Sequence, residues 1–169
     1  TIGEPLPIDD DARLHRAGLL SQYIKSRGHD VTWWSSTFDH INKINLFDAD
    51  YETITEEGIK LILLNGGGYK SNISLGRIKD HMKIANKFSE KAVSFPNPDI
   101  IICSYPTIEL CEKAISFGIQ NDIPVVIDIR DLWPDIFLDA APSGLKLLIK
   151  IVIDFFYKNK VKKILKNAT

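Results

Sequence analysis

Two charged residues, Arg130 and Asp131, follow an apolar run at a position where packing does not require charge. The run, Val125–Ile129, is bounded by turn-forming residues and is typical of a buried strand in a parallel sheet. In open α/β sheets, ligands bind where the chain leaves the carboxyl ends of the strands. We therefore predict a functional site at Arg130 and Asp131, with Asp128 and Trp133 beside them. The alternative is a buried Asp128–Arg130 pair that only fixes the loop.

A second group of polar residues follows the predicted strand Val31–Ser36. Asp39, His40 and Lys43 are close together in the sequence, as the residues of an acceptor-binding loop would be. We predict substrate contacts at these three residues, with a solvated surface loop as the alternative.

Three consecutive glycines, 66–68, follow the predicted strand Leu61–Asn65 and precede Tyr69. Glycine allows the backbone to bend round a ligand, and the Tyr69 ring could stack against a sugar. We predict substrate contacts at Gly68 and Tyr69. The alternatives are a phosphate cradle, although the pattern of a P-loop is absent, and a flexible connector.

Two more loops precede predicted helices. The segment 3–11 begins with Gly3 and Glu4, and its glycine permits close approach to a ligand unless the segment is only a connector. Ser104 and Tyr105 end another strand, and the free amides of the helix that follows could hold an anion. The alternative is that Thr107 simply caps that helix. No glycines have dinucleotide-binding spacing, which disfavours a nicotinamide or flavin enzyme, and we expect no cofactor.

The predicted elements alternate between short apolar strands and helices. The strands are Val31–Ser36, Leu61–Asn65, Ile100–Ser104 and Val125–Ile129, with a weaker one at Tyr51–Thr55 and the tail of a first one at Thr1–Ile2. The helices are Ala12–Arg27, Ile73–Ala92, Thr107–Asn121 and Leu145–Lys166. Asp10 or Asp11 can cap the N-terminus of the first helix, and Gly28 follows its C-terminus. This alternation predicts an α/β fold with a doubly wound, mostly parallel sheet. The five loops would then converge at its carboxyl edge.

The composition is that of one globular domain. Of the 169 residues, 44% are hydrophobic and 25% are charged, and the net charge of −1 argues against a nucleic-acid partner. No Cys/His group has metal-ligand spacing, so no metal is expected, and Cys103 and Cys111 are expected to be buried free thiols. No segment has the pattern of a secretory leader or of a membrane span.

The C-terminal segment Leu145–Lys166 is locally basic. Seven lysines and one acid lie between Gly144 and Thr169. The apolar residues of the segment share one helix face: Leu147, Leu148, Ile151, Val152, Phe155 and Phe156. This pattern predicts peripheral contact with an anionic membrane surface. The alternative is a helix that packs on the sheet with a solvated lysine face.

Several segments together resemble one family. They are Gly3–Pro7, Arg13–Leu20, Arg27–Ser36, Phe38–His40 with Lys43, Gly68–Tyr69 with Asn72–Ser74, and Asp128–Asp135. In these segments the chain resembles the N-terminal domain of family 4 glycosyltransferases of bacterial surface-polysaccharide synthesis. The most similar members are amino-sugar transferases of O-antigen and capsule synthesis, of the fucosamine type.

The resemblance implies one half of a GT-B fold, in which two Rossmann-like domains face each other across a cleft. Residues 1–169 would be the acceptor-binding domain, and the C-terminal domain that binds the nucleotide-sugar would be absent. We therefore expect a fragment that is inactive alone. The implied reaction transfers a sugar from a nucleotide-sugar donor to a saccharide or polyprenyl-diphosphate-linked acceptor, with retention and without a metal. It would take place in the cytoplasm or at the inner face of the plasma membrane.

The resemblance also implies where catalysis occurs. Many family members carry a His-Asp pair after the strand equivalent to Val125–Ile129, and the aligned residues here are Arg130 and Asp131. These two residues take the catalytic positions. Because arginine stays protonated, no general base is assigned. Arg130 could instead hold a donor phosphate or a sugar hydroxyl, or orient Asp131.

Two other functions are compatible with the sequence. A sugar-nucleotide 2-epimerase has the same two-domain architecture and would need carboxylates and a histidine for acid/base chemistry, a role that Asp39, His40 and Asp131 could take. A free-standing Rossmann-like binding module is the other alternative.

Overall fold

The structure is a computed structural model that describes residues 2–8, 13–72, 74–131, 144 and 146–169. The chain divides into two compact units, Thr1–Phe88 (unit 1) and Ser89–Thr169 (unit 2), and each is described by itself. Some predictions fall on residues outside the described ranges and stay predictions; these residues are Thr1, Asp10, Asp11, Ala12, Ile73, Trp133 and Leu145.

Unit 1 is built on a three-stranded sheet with the order β1-β5-β4. β1 (Thr32–Ser36) and β5 (Lys60–Leu64) run parallel, and the four residues after Lys60 are completely buried. Both strand predictions are confirmed to within one residue at each end. An unbroken apolar run is required here because both faces of β5 are covered.

β4 (Tyr51–Ile54) confirms the weaker strand prediction, but it pairs with β5 in the antiparallel direction. The connection is a tight turn in which Gly58, at φ +79°, donates its N–H to the carbonyl of Thr55 at 2.8 Å. Such a short connection cannot cross over a sheet, so the two strands must run in opposite directions.

Helix α1 (Arg16–Ser26) begins later than the sequence predicts. Its N-cap residue is His15, which makes no side-chain cap hydrogen bond. The predicted C-terminal glycine is confirmed, since Gly28 has φ +89° directly after the last turn.

Unit 1 is completed by a small hairpin and a second helix. β2 (Phe38–Asp39) and β3 (Ile44–Asn45) are antiparallel, and α2 spans Leu75–Ala92. Ser74 precedes α2, and its hydroxyl accepts the N–H of Arg77 at 3.2 Å. Ile2 lies in no strand, which corrects the expectation of a first strand ending there.

Unit 2 is a βαβ arrangement followed by two helices. β6 (Ile101–Tyr105) and β7 (Val125–Ile129) are parallel, and α3 (Ile108–Asn121) connects them. Cys103 and Cys111 are buried free thiols, as expected, with their Sγ atoms 3.6 Å apart. The hydrogen bond between them and their burial raise the pKa of the Cys111 thiol.

The predicted single helix Leu145–Lys166 is two helices, α4 (Lys146–Phe156) and α5 (Lys158–Asn167). The chain is interrupted at Tyr157, whose carbonyl accepts the N–H of Val161 at 2.9 Å as α5 begins. α5 packs against α3, where Lys160 donates to Glu112 Oε2 at 2.8 Å, and Ile164 of α5 is completely buried. The structure thus shows a mixed α/β chain with a parallel strand pair in each unit.

Candidate functional site

The carboxyl ends of β1 and β5 form a first candidate site, in unit 1. Because the two strands are parallel neighbours, the loops that leave Ser36 and Leu64 start side by side. Thr37 extends the pairing by donating its N–H to the carbonyl of Leu64 at 3.1 Å. The parallel arrangement therefore brings together the predicted loops around Asp39 and Gly68.

The first of these loops is the β2–β3 hairpin, whose turn is shaped by Asp39. Asp39 Oδ1 accepts hydrogen bonds from the N–H groups of Ile41 (2.8 Å) and Asn42 (3.1 Å), and Oδ2 accepts one from Asn42 Nδ2 (2.6 Å). Burial alone raises the pKa of Asp39, but these bonds outweigh burial and hold the pKa below its usual value. The carboxylate is therefore engaged by the hairpin itself.

Lys43 connects the hairpin to the glycine loop. Its backbone has φ +60°, in the left-handed region, and its Nζ donates hydrogen bonds to the carbonyl of His40 and to Asn72 Oδ1. Nζ also lies 4.8 Å from the centroid of the Tyr69 ring. Three predicted site residues, His40, Lys43 and Tyr69, are thus brought into one cluster with Asn72.

Gly3 belongs to the same site. It has φ +83°, and a Cβ at this position would lie 3.4 Å from His40 Nδ1. Burial, followed by the charges of Lys43 and Arg77, lowers the pKa of His40, while the Asp39 charge acts in the opposite direction. The imidazole therefore lies in positively charged surroundings that favour its neutral form.

The glycine loop is packed tightly against Asp80 and Phe38. The N–H of Gly68 donates to Asp80 Oδ1 at 2.7 Å. A Cβ on Gly66 would lie 2.2 Å from that oxygen, and a Cβ on Gly68 would lie 2.5 Å from the Phe38 ring. These close approaches require glycine. Because the Gly68 N–H is bonded to a carboxylate, it cannot also cradle a phosphate.

Asp80 is a deeply buried carboxylate, with 2% of its surface exposed. Burial raises its pKa, and the N–H of Gly68 and the charge of Lys83 offset part of that increase. Its Oδ2 has no hydrogen-bond partner among the residues that the structure describes. Asp80 therefore anchors the loop through one oxygen while the other carries a desolvation penalty.

Tyr69 is covered by its neighbours and is only 9% exposed. Its ring lies 4.7 Å from that of Phe38 and, edge to face, 6.1 Å from that of His81. Arg77 Cζ lies 5.9 Å from the ring centroid, and Lys43 Nζ is closer still. These side chains occupy the surroundings of the ring, and the predicted stacking of a sugar on Tyr69 stays a prediction.

Glu4 caps a helix in this structure. It is buried, and its Oε2 accepts the N–H of Ala17, in the first turn of α1, at 2.9 Å. A carboxylate at a helix N-terminus satisfies an unpaired N–H and interacts favourably with the helix dipole. The structure therefore gives Glu4 a structural role, and its predicted contact with a substrate stays a prediction.

A second candidate site lies at the carboxyl ends of β6 and β7, in unit 2. The register places Ser104 opposite Asp128. Arg130 Nε lies 3.6 Å from Asp128 Oδ2, and each of these side chains is 24% exposed. The ion pair considered as the alternative at this site is therefore present, and the exposed Asp131 follows it directly.

Ser104 and Tyr105 end β6, but both residues are buried. The carbonyl of Ser104 accepts a long hydrogen bond from Cys111 Sγ, at 3.7 Å. Both side chains are thus enclosed by the protein, and their predicted substrate contacts stay predictions. Thr107 is the N-cap residue of α3, as predicted, although its side chain makes no cap hydrogen bond.

Four residues of the first site are missed by the sequence prediction: Asn72 in the glycine loop, and Arg77, Asp80 and His81 on α2. The sequence did contain a signal for Asp80. This residue precedes Ile84 by one helical turn and Phe88 by two, and both of these apolar residues are buried. A carboxylate on an apolar helix face is rarely buried unless it is bonded, so this position already indicated a specific contact.

Among the described residues, no group of histidine, cysteine, aspartate and glutamate side chains could hold a metal ion. No helix in the described part of the chain is long and apolar enough to cross a membrane. No protein-family model and no curated protein matches this chain.

Proposed function

We propose that this chain is the acceptor-binding half of a retaining GT-B glycosyltransferase of bacterial surface-polysaccharide synthesis. The whole enzyme would transfer an amino sugar from a nucleotide-sugar to a saccharide carried on a polyprenyl diphosphate. On this proposal the two units belong to one Rossmann-like, doubly wound domain. The protein would work in the cytoplasm, at the inner face of the plasma membrane.

The observation that carries the proposal is the meeting of segments that are distant in the sequence. Gly3 approaches His40, and Lys43 bonds Asn72, so three of the segments behind the family resemblance form one cluster. The cluster lies at the carboxyl ends of parallel strands, which is where open α/β sheets bind ligands. A set of connectors without a function would not need this convergence of polar side chains.

In the proposed reaction, the acceptor hydroxyl oxygen forms a bond to the anomeric carbon. The bond between that carbon and the nucleoside diphosphate breaks, and the hydroxyl proton is released. Arg130 is permanently charged, so it suits a contact with the departing diphosphate or a sugar hydroxyl. Asp128, 3.6 Å from Arg130, would orient the guanidinium, and Asp131 follows at the exposed end of the strand.

The geometry supports the epimerase alternative less well. That reaction needs a carboxylic acid or carboxylate that can exchange protons with the sugar. Asp39 is the carboxylate next to His40, but its oxygens accept three hydrogen bonds from the hairpin, and its pKa is held low. It is therefore poorly placed to serve as an acid.

The test of the proposal is transfer by the full-length protein with a panel of nucleotide-sugars and a lipid-linked saccharide acceptor. We expect Arg130→Ala and Asp131→Ala each to lower turnover by about tenfold or more, the effect of losing one positioned polar contact. Lys162→Ala, a change of an exposed residue on α5, is the control and should leave turnover unchanged. No transfer with any donor, or wild-type turnover in both variants, would refute the proposal.

The same proposal includes membrane contact through α4. Leu147, Ile151 and Phe155 are spaced by four residues and are exposed, Phe155 to 76%. Lys146 and Lys150 flank this stripe and are also exposed. An apolar stripe bordered by lysines matches the interface of an anionic bilayer, where a polyprenyl-linked acceptor would be found.

Flotation of the chain with anionic liposomes tests the membrane contact. We expect the wild-type chain to float at low salt and to dissociate as the salt concentration rises. Phe155→Glu should reduce flotation, whereas Val93→Glu, which changes another strongly exposed apolar residue, should not. Absence of flotation at low salt would exclude the contact.

A further inference from the structure

Two cationic side chains in unit 1 converge on one residue, Asn72. Lys43 Nζ donates to Asn72 Oδ1, and Arg77 Nη1 donates to the Asn72 carbonyl at 3.0 Å. Both cations also lie beside the Tyr69 ring, at 4.8 and 5.9 Å from its centroid. The glycine loop and α2 thus hold a lysine and an arginine close together, although like charges repel.

The partners of Lys43 do not neutralise its charge. Nζ bonds a backbone carbonyl and a side-chain amide oxygen, and no carboxylate of the described residues lies within ion-pair distance of it. Asp39, the acid closest to it in the sequence, is held by the N–H groups of its own hairpin. Asp80 is buried beneath the loop and bonds Gly68. Among the described residues, these two acids are therefore bonded elsewhere.

The pKa values of two imidazoles at this site are lowered. Burial lowers the pKa of His40, and the charges of Lys43 and Arg77 lower it further. Burial lowers the pKa of His81 to about 4, and Arg77 again adds to the shift. Both histidines are therefore expected to be neutral at pH 7, so the imidazoles add no charge of their own beside Lys43 and Arg77.

The backbone of Lys43 is strained as well. It has φ +60°, in the left-handed region that favours glycine over a residue with a side chain. Strain of this kind persists where the side chain has a role that requires its position. Here the strained backbone directs the ammonium group toward Asn72 and Tyr69.

We infer that Lys43, Arg77 and Asn72 form a binding site for a phosphoryl oxyanion, and that it takes the diphosphate of the acceptor. An arginine provides a planar fork of N–H donors and a lysine a point charge, the combination with which proteins bind phosphate groups. The identification of the diphosphate as the acceptor's rests on the proposed function, whereas the anion site itself rests on the cluster alone. The site would hold the acceptor by the group that is common to all lipid-linked saccharides.

Calorimetric titration of the 169-residue chain with inorganic pyrophosphate tests the site. We expect saturable binding that weakens as salt is added, because a dianion or higher anion is being bound. Lys43→Gln and Arg77→Gln should each lower the affinity about tenfold, the effect of one charge-assisted hydrogen bond. Lys43→Arg should retain most of the affinity.

Lys79→Gln is the matched control. It removes one positive charge from the same helix as Arg77, but the Lys79 side chain is exposed and is not part of the cluster. Its affinity for pyrophosphate should equal that of the wild type. Circular dichroism and the His81 imidazole resonance establish that each variant is folded. No binding by the wild type, or equal losses in Lys79→Gln and Lys43→Gln, would overturn the site.

The source of the diphosphate is decided by two further ligands. A short prenyl diphosphate should bind at least as tightly as pyrophosphate and should compete with it. A nucleoside diphosphate that binds more tightly than the prenyl diphosphate would overturn the assignment to the acceptor. Failure of the transferase assay with pyrophosphate binding intact would refute the proposed function but not the anion site. Transfer by the full-length protein without pyrophosphate binding would refute only the anion site.

Discussion

The N–H of Gly68 donates a 2.7 Å hydrogen bond to the buried carboxylate of Asp80, so a charged group fixes the loop that follows β5. The same carboxylate leaves no room beside Gly66, where a Cβ would lie 2.2 Å from Oδ1 and 2.8 Å from the Asp80 carbonyl oxygen. The glycine loop is therefore a packed structural element whose conformation depends on a residue of α2. This relationship sets the position of Tyr69 and Asn72, and with them the proposed anion site.

The first prediction concerns Gly66. Gly66→Ala should lower the free energy of unfolding of unit 1 by about 2–3 kcal/mol, because the new Cβ forces Asp80 and the loop apart. Urea denaturation followed by circular dichroism measures this change.

Substitutions of two other glycines separate the effect of a steric clash from the effect of backbone strain. Gly28→Ala meets no atom within 4 Å but has φ +89°, so it should cost about 1 kcal/mol. In Gly144→Ala the new Cβ has no atom within 4 Å and the backbone is not left-handed, so the free energy of unfolding should not change.

The second prediction concerns the pH dependence of stability through His81. Folding lowers its pKa from 6.5 to about 4, first through burial and then through the charge of Arg77. Between these pH values the unfolded chain binds more protons, so stability should decrease as the pH falls from about 6.5 to about 4, by about 3 kcal/mol in total.

His81→Phe should remove this decrease while keeping a ring beside Tyr69. Asp80 titrates with the opposite sign, since its folded pKa is raised, and it is unchanged in the variant. NMR titration of the imidazole gives the pKa directly. A His81 pKa near 6.5 in the folded chain would contradict the prediction.

The third prediction concerns Glu4. Glu4→Ala removes the acceptor for the N–H of Ala17 and should destabilise the start of α1 by about 1–2 kcal/mol. Glu4→Gln retains an oxygen acceptor and should be milder. Hydrogen exchange of the Ala17 amide, measured by NMR, should become faster in Glu4→Ala, and exchange that stays at the wild-type rate would show that Glu4 is not the cap.

The fourth prediction sets stability against binding at Lys43. Lys43→Gly relieves the left-handed backbone and should raise the free energy of unfolding by up to about 1 kcal/mol, while the affinity for pyrophosphate falls about tenfold, as in Lys43→Gln. Asp122→Gly is the matched control, because Asp122 has φ +57° at the end of α3. It should gain similar stability, and its affinity for pyrophosphate should not change. Denaturation and calorimetry on the two variants measure both effects.

The strands illustrate how much local sequence could predict. Val31–Ser36, Leu61–Asn65, Ile100–Ser104 and Val125–Ile129 were expected, and each is found with shifts of no more than one residue at an end. Short apolar runs between turn-forming residues define these strands, and this information is local. The single helix expected over Leu145–Lys166 is instead two, because the packing of α5 on α3 depends on residues far away in the sequence.

The candidate site also depends partly on local sequence and partly on tertiary contacts. Residue types alone pointed to His40, Lys43 and the Arg130–Asp131 pair, because polar side chains after apolar strands are recognisable in the sequence. Whether such a side chain faces a ligand or the protein interior is a matter of three-dimensional contacts. Glu4 and Tyr69 were expected to contact a substrate, and in the structure one is buried against Ala17 and the other lies beneath Phe38, Lys43 and Arg77.

The sequence by itself determined the alternation of strands and helices and the polar character of the loops after the strands, since both depend on neighbouring residues. Only the tertiary structure decided which charges meet. Arg77 and Asp80 are more than thirty residues from the hairpin that contains Lys43. They lie near that hairpin because β1 and β5 are parallel neighbours and because Asp80 of α2 accepts a hydrogen bond from the glycine loop. Burial and charge proximity between distant segments are properties of the packed chain, and the site depends on both.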